Sequence, residues 1–215
     1  MELPTSALKG MLVEEFDTTT LLSHARKQAI ERNYKDFLIV DVDSHHYENE
    51  RFGEIIEYLE DPVLKQMAKS SQMSGRGSMF ITQPGSQDMG GRVTRYPLRK
   101  HEKTPATPDR QITMSNRWMD ATGIDYTVLF PTPMLQMGLH PQPEVEVALA
   151  RAYNSWLCDT VLAKDDRIRS LLYLPFNDPE ACYQMVQDFG DKKGVAGFMV
   201  TTVRTLPVHH NAYMK

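Results

Sequence analysis

The run Phe37 to Val42 (FLIVDV) constrains this chain more than any other stretch. It is a continuous apolar segment ending in acid, and such a run predicts a strand buried on both faces, as in a parallel sheet. Directly after it the sequence turns to DVDSHHYENE. A polar cluster at the carboxyl end of a buried strand is where α/β folds carry their chemistry. Side chains two apart in a strand point to the same side. Asp41, Asp43 and His45 therefore aim at one spot, with Val42 and Ser44 on the other side.

The rest of the chain reads as strands alternating with helices. Before the first strand, Leu21, Leu22, Ala25 and Ala29 recur at helical spacing behind a Thr18 to Thr20 cap, which makes residues 1–35 a helical extension. A helix is expected from about Glu54 to Ala68, interrupted at Asp61-Pro62. From Ser70 to Pro108 the pattern dissolves into Gly, Ser, Pro, Gln and basic residues, and this insertion at about 70–108 is long for a loop in a compact domain. Regular alternation follows. Gln111 to Thr122 is helical and stops at Gly123, and Tyr126 to Phe130 is a strand. Val145 to Leu162 is the strongest helix, with Trp156 in its apolar face, and Ile168 to Leu174 is a strand. Asp178-Pro179 opens a helix that buries Cys182, Met185, Val186 and Phe189, Val195 to Val200 is a strand, and Pro207 starts a further helix.

This order implies an α/β fold with a parallel sheet. About four βα units are present over residues 36–215. An eight-stranded (β/α)8 TIM barrel takes about 250 residues, so the expectation is the first half of such a barrel. The remainder would come from the same or another chain, because a half-barrel exposes strand edges and an open interior.

Composition narrows the field. A formal net charge of -4 gives no footprint for nucleic acid or for an anionic membrane. The 2 cysteines are too few for a disulfide framework, no apolar run reaches the roughly 20 residues that span a bilayer, and MELPTSALKG lacks the pattern of a signal peptide. A cytoplasmic protein is expected. No glycine-rich phosphate loop follows a predicted strand.

The carboxylate and imidazole of Asp43 and His45 suit a divalent metal: zinc first, manganese or iron as alternatives. The bland alternative is that Asp43 begins a turn and His45 lies on the surface. Asp41 and Glu48 are weaker expectations, as ligands or as outer groups that orient one, and the extra acid leaves room for a second metal ion. His46 should point away from His45. His140 and Thr132, after the second strand, are candidate substrate contacts. Arg92, Arg95, Arg99 and Lys100 could meet an anionic substrate, with a solvated basic loop the preferred reading. His209 and His210 are expected to start a helix rather than to bind metal.

IVDVDSHHYE, GIDYTVLFPTP, the stretch from ARAYNSWL to LPFNDPEAC, and GVAGFMV followed by LPVHHNAYMK together resemble the amidohydrolase-related family of metal-dependent hydrolases and aminocarboxymuconate-semialdehyde decarboxylase-like enzymes. The resemblance runs from about Asp36 onward. It implies a metal held by Asp43 and His45, where histidine is more usual at the first position. A further histidine ligand, a catalytic histidine and a metal-binding aspartate belong to the family's second barrel half, so no catalytic residue is assigned here.

The implied activity is hydrolysis by metal-activated water at an amide, ester or related carbonyl bond. The alternative within the family is metal-dependent non-oxidative decarboxylation of an aromatic or muconate-type acid. A non-catalytic scaffold on a truncated barrel is the reading outside enzymes. Expected partners are a small carbonyl or carboxylate substrate and further copies in a homo-oligomer.

Overall fold

The computed structural model describes residues 18–46, 48–73, 109–202, 204, 206, 207 and 209–214. The predicted insertion lies outside the described residues from 74 to 108, and with it Arg92, Arg95, Arg99 and Lys100. Its first residues, Ser70 to Met73, still belong to helix α3 (Pro62–Met73). The chain forms two compact units, Met1–Asp41 with Val93–Thr127 and Val42–Arg92 with Val128–Lys215.

In the first unit, α1 (Thr18–Glu31) packs against α4 (Arg110–Thr122). Thr18 and Thr19, read as part of a cap, occupy the first turn of α1, and their hydroxyls accept from the Arg117 guanidinium at 2.9 and 3.2 Å. Ala29, Met114, Met119 and Ala121 form the core. Gly123 ends α4 at φ 76°, a left-handed position that only glycine adopts without cost, and a Cβ there would lie 3.1 Å from Tyr34 Cβ. Two bonds then align the chain: Ile39 N–H donates to Asp125 Oδ2 at 2.8 Å, and Asp125 N–H donates to Ile39 O at 2.9 Å.

Strands β1 (Val40–His46), β2 (Tyr126–Pro131), β3 (Ile168–Tyr173) and β4 (Val195–Met199) form a four-stranded parallel sheet in the order β1-β2-β3-β4. Sequential order is what successive βα units produce. The first strand departs from expectation. It begins at Val40 rather than Phe37, and Phe37, Leu38, Val40 and Val42 are 54%, 69%, 42% and 67% exposed. The physical reason is position: among the described residues β1 is an edge strand, with β2 as its hydrogen-bonded neighbour.

Period-two burial runs through β2 and most of β3. Leu129, Pro131, Ile168, Ser170 and Leu172 are buried, whereas Val128, Phe130, Arg169 and Leu171 between them are half-buried. Helix α5 (Pro143–Leu157) packs against β3, against the short α2 (Phe52–Ile55) and against α6 (Pro179–Phe189). Tyr153, Trp156 and Leu157 of α5 are buried with Ile55, Ile56, Leu172 and Met185. The predicted helix to Leu162 divides here. After Leu157 one turn, Cys158–Leu162, is π-helical, and Ala163 N–H donates to Cys158 O five residues back at 2.9 Å. In α6 the Asp178 carboxylate caps the helix by accepting Ala181 N–H at 3.0 Å. Val186, expected in its buried face, is 37% exposed. It lies one position past Met185, at the margin of a stripe that Cys182, Met185 and Phe189 complete without it. The helix predicted from Pro207 is a single short turn, Asn211–Tyr213. Among the described residues no helix is long and apolar enough to cross a membrane.

Candidate functional site

At the carboxyl end of β1 the alternation holds: Ser44 and His46 are buried, while Asp43 is exposed and His45 half-buried. His46 points away from His45, as expected. Its Nε2 meets the Tyr153 hydroxyl of α5, and the two rings stack 5.6 Å apart.

Asp43 and His45 come together. Asp43 Oδ1 lies 3.3 Å from His45 Nε2, with side chains 80% and 38% exposed. Nitrogen and oxygen ligands about 2.1 Å from a tetrahedral zinc stand roughly 3.4 Å apart, so this donor pair fits one ion. The other face of the imidazole is fixed from β2 and the residue after it. The His45 ring lies 4.3 Å from the Phe130 ring, and Nδ1 is 3.0 Å from Thr132 Oγ1.

Glu48 is fully buried and accepts Thr132 N–H at 3.1 Å and Met134 N–H at 2.6 Å. Thr132 N–H is shared with His46 O at 3.0 Å. Burial pushes the Glu48 carboxyl up to about 8 against the opposing pull of the backbone N–H groups. Glu48, a weaker expectation as a ligand or as an outer group, turns both oxygens to backbone donors. Asp41 shares the strand parity of Asp43 and His45 and is half-buried. Among the described residues no three His, Cys, Asp or Glu side chains form a group able to hold a metal ion.

Thr132, read as a substrate contact, stands beside His45. His140 is a turn residue: its Nδ1 lies 3.1 Å from Gln142 N and 3.0 Å from Gln142 O. His210 caps the last turn by accepting Ala212 N–H at 3.2 Å.

A second polar cluster escaped the sequence reading. Glu146, 1% exposed, accepts from the Tyr173 hydroxyl at 2.7 Å and from Asn177 Nδ2 at 3.0 Å. Asn177 Nδ2 also donates to Gly138 O at 2.7 Å. Asn154 Nδ2 donates to Tyr173 O at 2.9 Å, and Asn154 Oδ1 accepts Tyr173 N–H at 3.1 Å. A signal was present in the sequence: Glu146 falls on the helical stripe of Leu149, Ala150 and Tyr153, where an acid must be paired. The chain matches no protein-family model and no curated protein.

Proposed function

We propose that this chain belongs to a metal-dependent hydrolase of the amidohydrolase-related type, with Asp43 and His45 holding a divalent cation, zinc in the first instance. The observation that supports this most is the 3.3 Å approach of Asp43 Oδ1 to His45 Nε2 at the carboxyl end of a parallel strand, with His45 Nδ1 engaged by Thr132. A cation there supplies a Lewis acid that polarises a carbonyl and acidifies water. Asp43 contributes the negative charge and His45 a neutral nitrogen donor, while Phe130 and Thr132 hold the imidazole plane. The sheet is read as the first half of a (β/α)8 barrel. Support comes from the half-buried Phe130, Arg169 and Leu171 and from the apolar, exposed β1 edge at Val40 and Val42. Further strands, from the same protein or a second chain, would cover both.

The test is calorimetric titration of the full chain with zinc chloride, followed by assay of the loaded protein against ester, amide and aromatic carboxylate panels. Stoichiometric binding that Asp43→Asn and His45→Ala each weaken, together with hydrolysis, is expected. Carbon dioxide release from the carboxylates would replace the hydrolase by the decarboxylase. Absence of zinc binding would sink both enzymes and leave the scaffold.

A further inference from the structure

We infer that Glu48 is a positioning residue for His45, acting through Thr132. This rests on the metal-site reading above and assigns roles to two residues outside the donor pair. Three contacts carry it. Glu48 is 0% exposed and its two oxygens accept the amide N–H groups of Thr132 and Met134, at 3.1 and 2.6 Å. Thr132 presents its hydroxyl to His45 Nδ1 at 3.0 Å. His45 Nε2, on the opposite side of the ring, faces Asp43 Oδ1.

The chain of cause runs from backbone to ring. Pro131 ends β2, and the turn that follows starts at Thr132 and Pro133; there Thr132 N–H is shared between His46 O of β1 and Glu48, and Met134 N–H donates to Glu48. Glu48 is thus a second acceptor for the Thr132 amide and the acceptor for the Met134 amide. It bridges two amides of the turn and holds Thr132 Cα, and hence Oγ1, at one distance from the ring. A histidine that binds metal through one nitrogen needs the other nitrogen held, since that second bond sets both the ring plane and which nitrogen keeps the proton. A hydroxyl can accept from Nδ1–H or donate to a bare Nδ1. Thr132 thus satisfies His45 both when Nε2 carries a proton toward Asp43 and when Nε2 offers its lone pair to a cation. Valine in its place could do neither.

The test is zinc titration of the full chain and of Glu48→Gln, Thr132→Val, Thr132→Ser and the Glu48→Gln/Thr132→Val double variant, with circular dichroism to verify the fold. Loss of such an outer partner lowers metal affinity by about tenfold to a hundredfold. Each of Glu48→Gln and Thr132→Val is expected to lose affinity in that range, and Thr132→Ser to recover it. The double variant should lose no more than Thr132→Val alone, because Glu48 acts through Thr132. Losses that add, or an unchanged Glu48→Gln, would overturn the inference. Should Glu48→Gln not fold, Glu48→Asp, too short to bridge both amides, takes its place. If the parent chain binds no zinc, the metal-site reading fails, and the positioning role is then read in metal-free protein from the 15N shifts of the His45 ring. Those shifts must move in both single variants; a His45 signal indifferent to Glu48 would overturn the role.

Discussion

Glu48 and Glu146 are both acids removed from water, and each accepts two hydrogen bonds near the carboxyl end of a strand. What they serve differs. Glu146 meets the Tyr173 hydroxyl and the Asn177 amide, and Asn154 then satisfies both backbone groups of Tyr173. That network joins α5, β3 and the turn at Gly138, and through Asn177 Oδ1 it reaches Leu206 N–H at 3.4 Å, all of it within the fold. Glu48 leads outward, through Thr132 to His45 and on to Asp43, whose side chain is 80% exposed. A buried polar group without a partner costs several kcal/mol, so both acids had to be paired. A closed network, in this sense, is one whose bonds stay inside the fold and serve geometry, whereas an open one ends on an exposed side chain, where a ligand can reach it.

The largest expected effect breaks the closed network. Asn154→Ala strips Tyr173 N–H and C=O of their partners and should lower unfolding free energy by about 3 kcal/mol, measured by urea denaturation. Zinc affinity of the folded variant should stay unchanged. An equal loss of affinity would mean that the two networks are one.

Of comparable size over its whole window is the pH dependence of the open network. Burial raises the Glu48 carboxyl from 4.5 to about 8. Below pH 4.5 the folded and unfolded chains both carry the proton, and the stabilisation is fully present. As pH rises toward 8 the unfolded chain releases the proton while the fold retains it, so stability falls, by roughly 1 kcal/mol per pH unit, and the slope flattens above. Glu48→Gln should lack this component, so the difference between parent and variant stability should change across that window. A pH-independent difference in urea midpoints would show that the Thr132 and Met134 amides keep Glu48 ionised.

Much of the alternation was legible because it rests on local rules. The Gly123 stop and the Asp178 cap are set by residues within a turn of each other, and the convergence of Asp43 and His45 follows from strand parity alone. The partnership of Glu48 with the Thr132 and Met134 amides was not legible, since it spans more than eighty positions and involves backbone groups that every residue carries. The burial of β1 was misread for a related reason. Hydrophobicity reports what a strand can bury, and only the sheet order, with β1 at the edge, says what covers Val42.

The smallest expected effect on stability sharpens the comparison most. Asp43 is exposed enough that Asp43→Asn should change unfolding free energy by no more than about 0.5 kcal/mol. The same substitution removes the carboxylate from the donor pair, and losing a ligand should cost zinc affinity at least as much as losing an outer partner, about tenfold or more. Stability and affinity measured on one variant then separate the two kinds of network. On the proposed reading, Asn154→Ala should change stability and not zinc affinity, and Asp43→Asn zinc affinity and not stability. If Asp43→Asn instead destabilised the chain while leaving zinc binding intact, the contact with His45 Nε2 would be a structural ion pair, and the open network would be as closed as the one around Glu146.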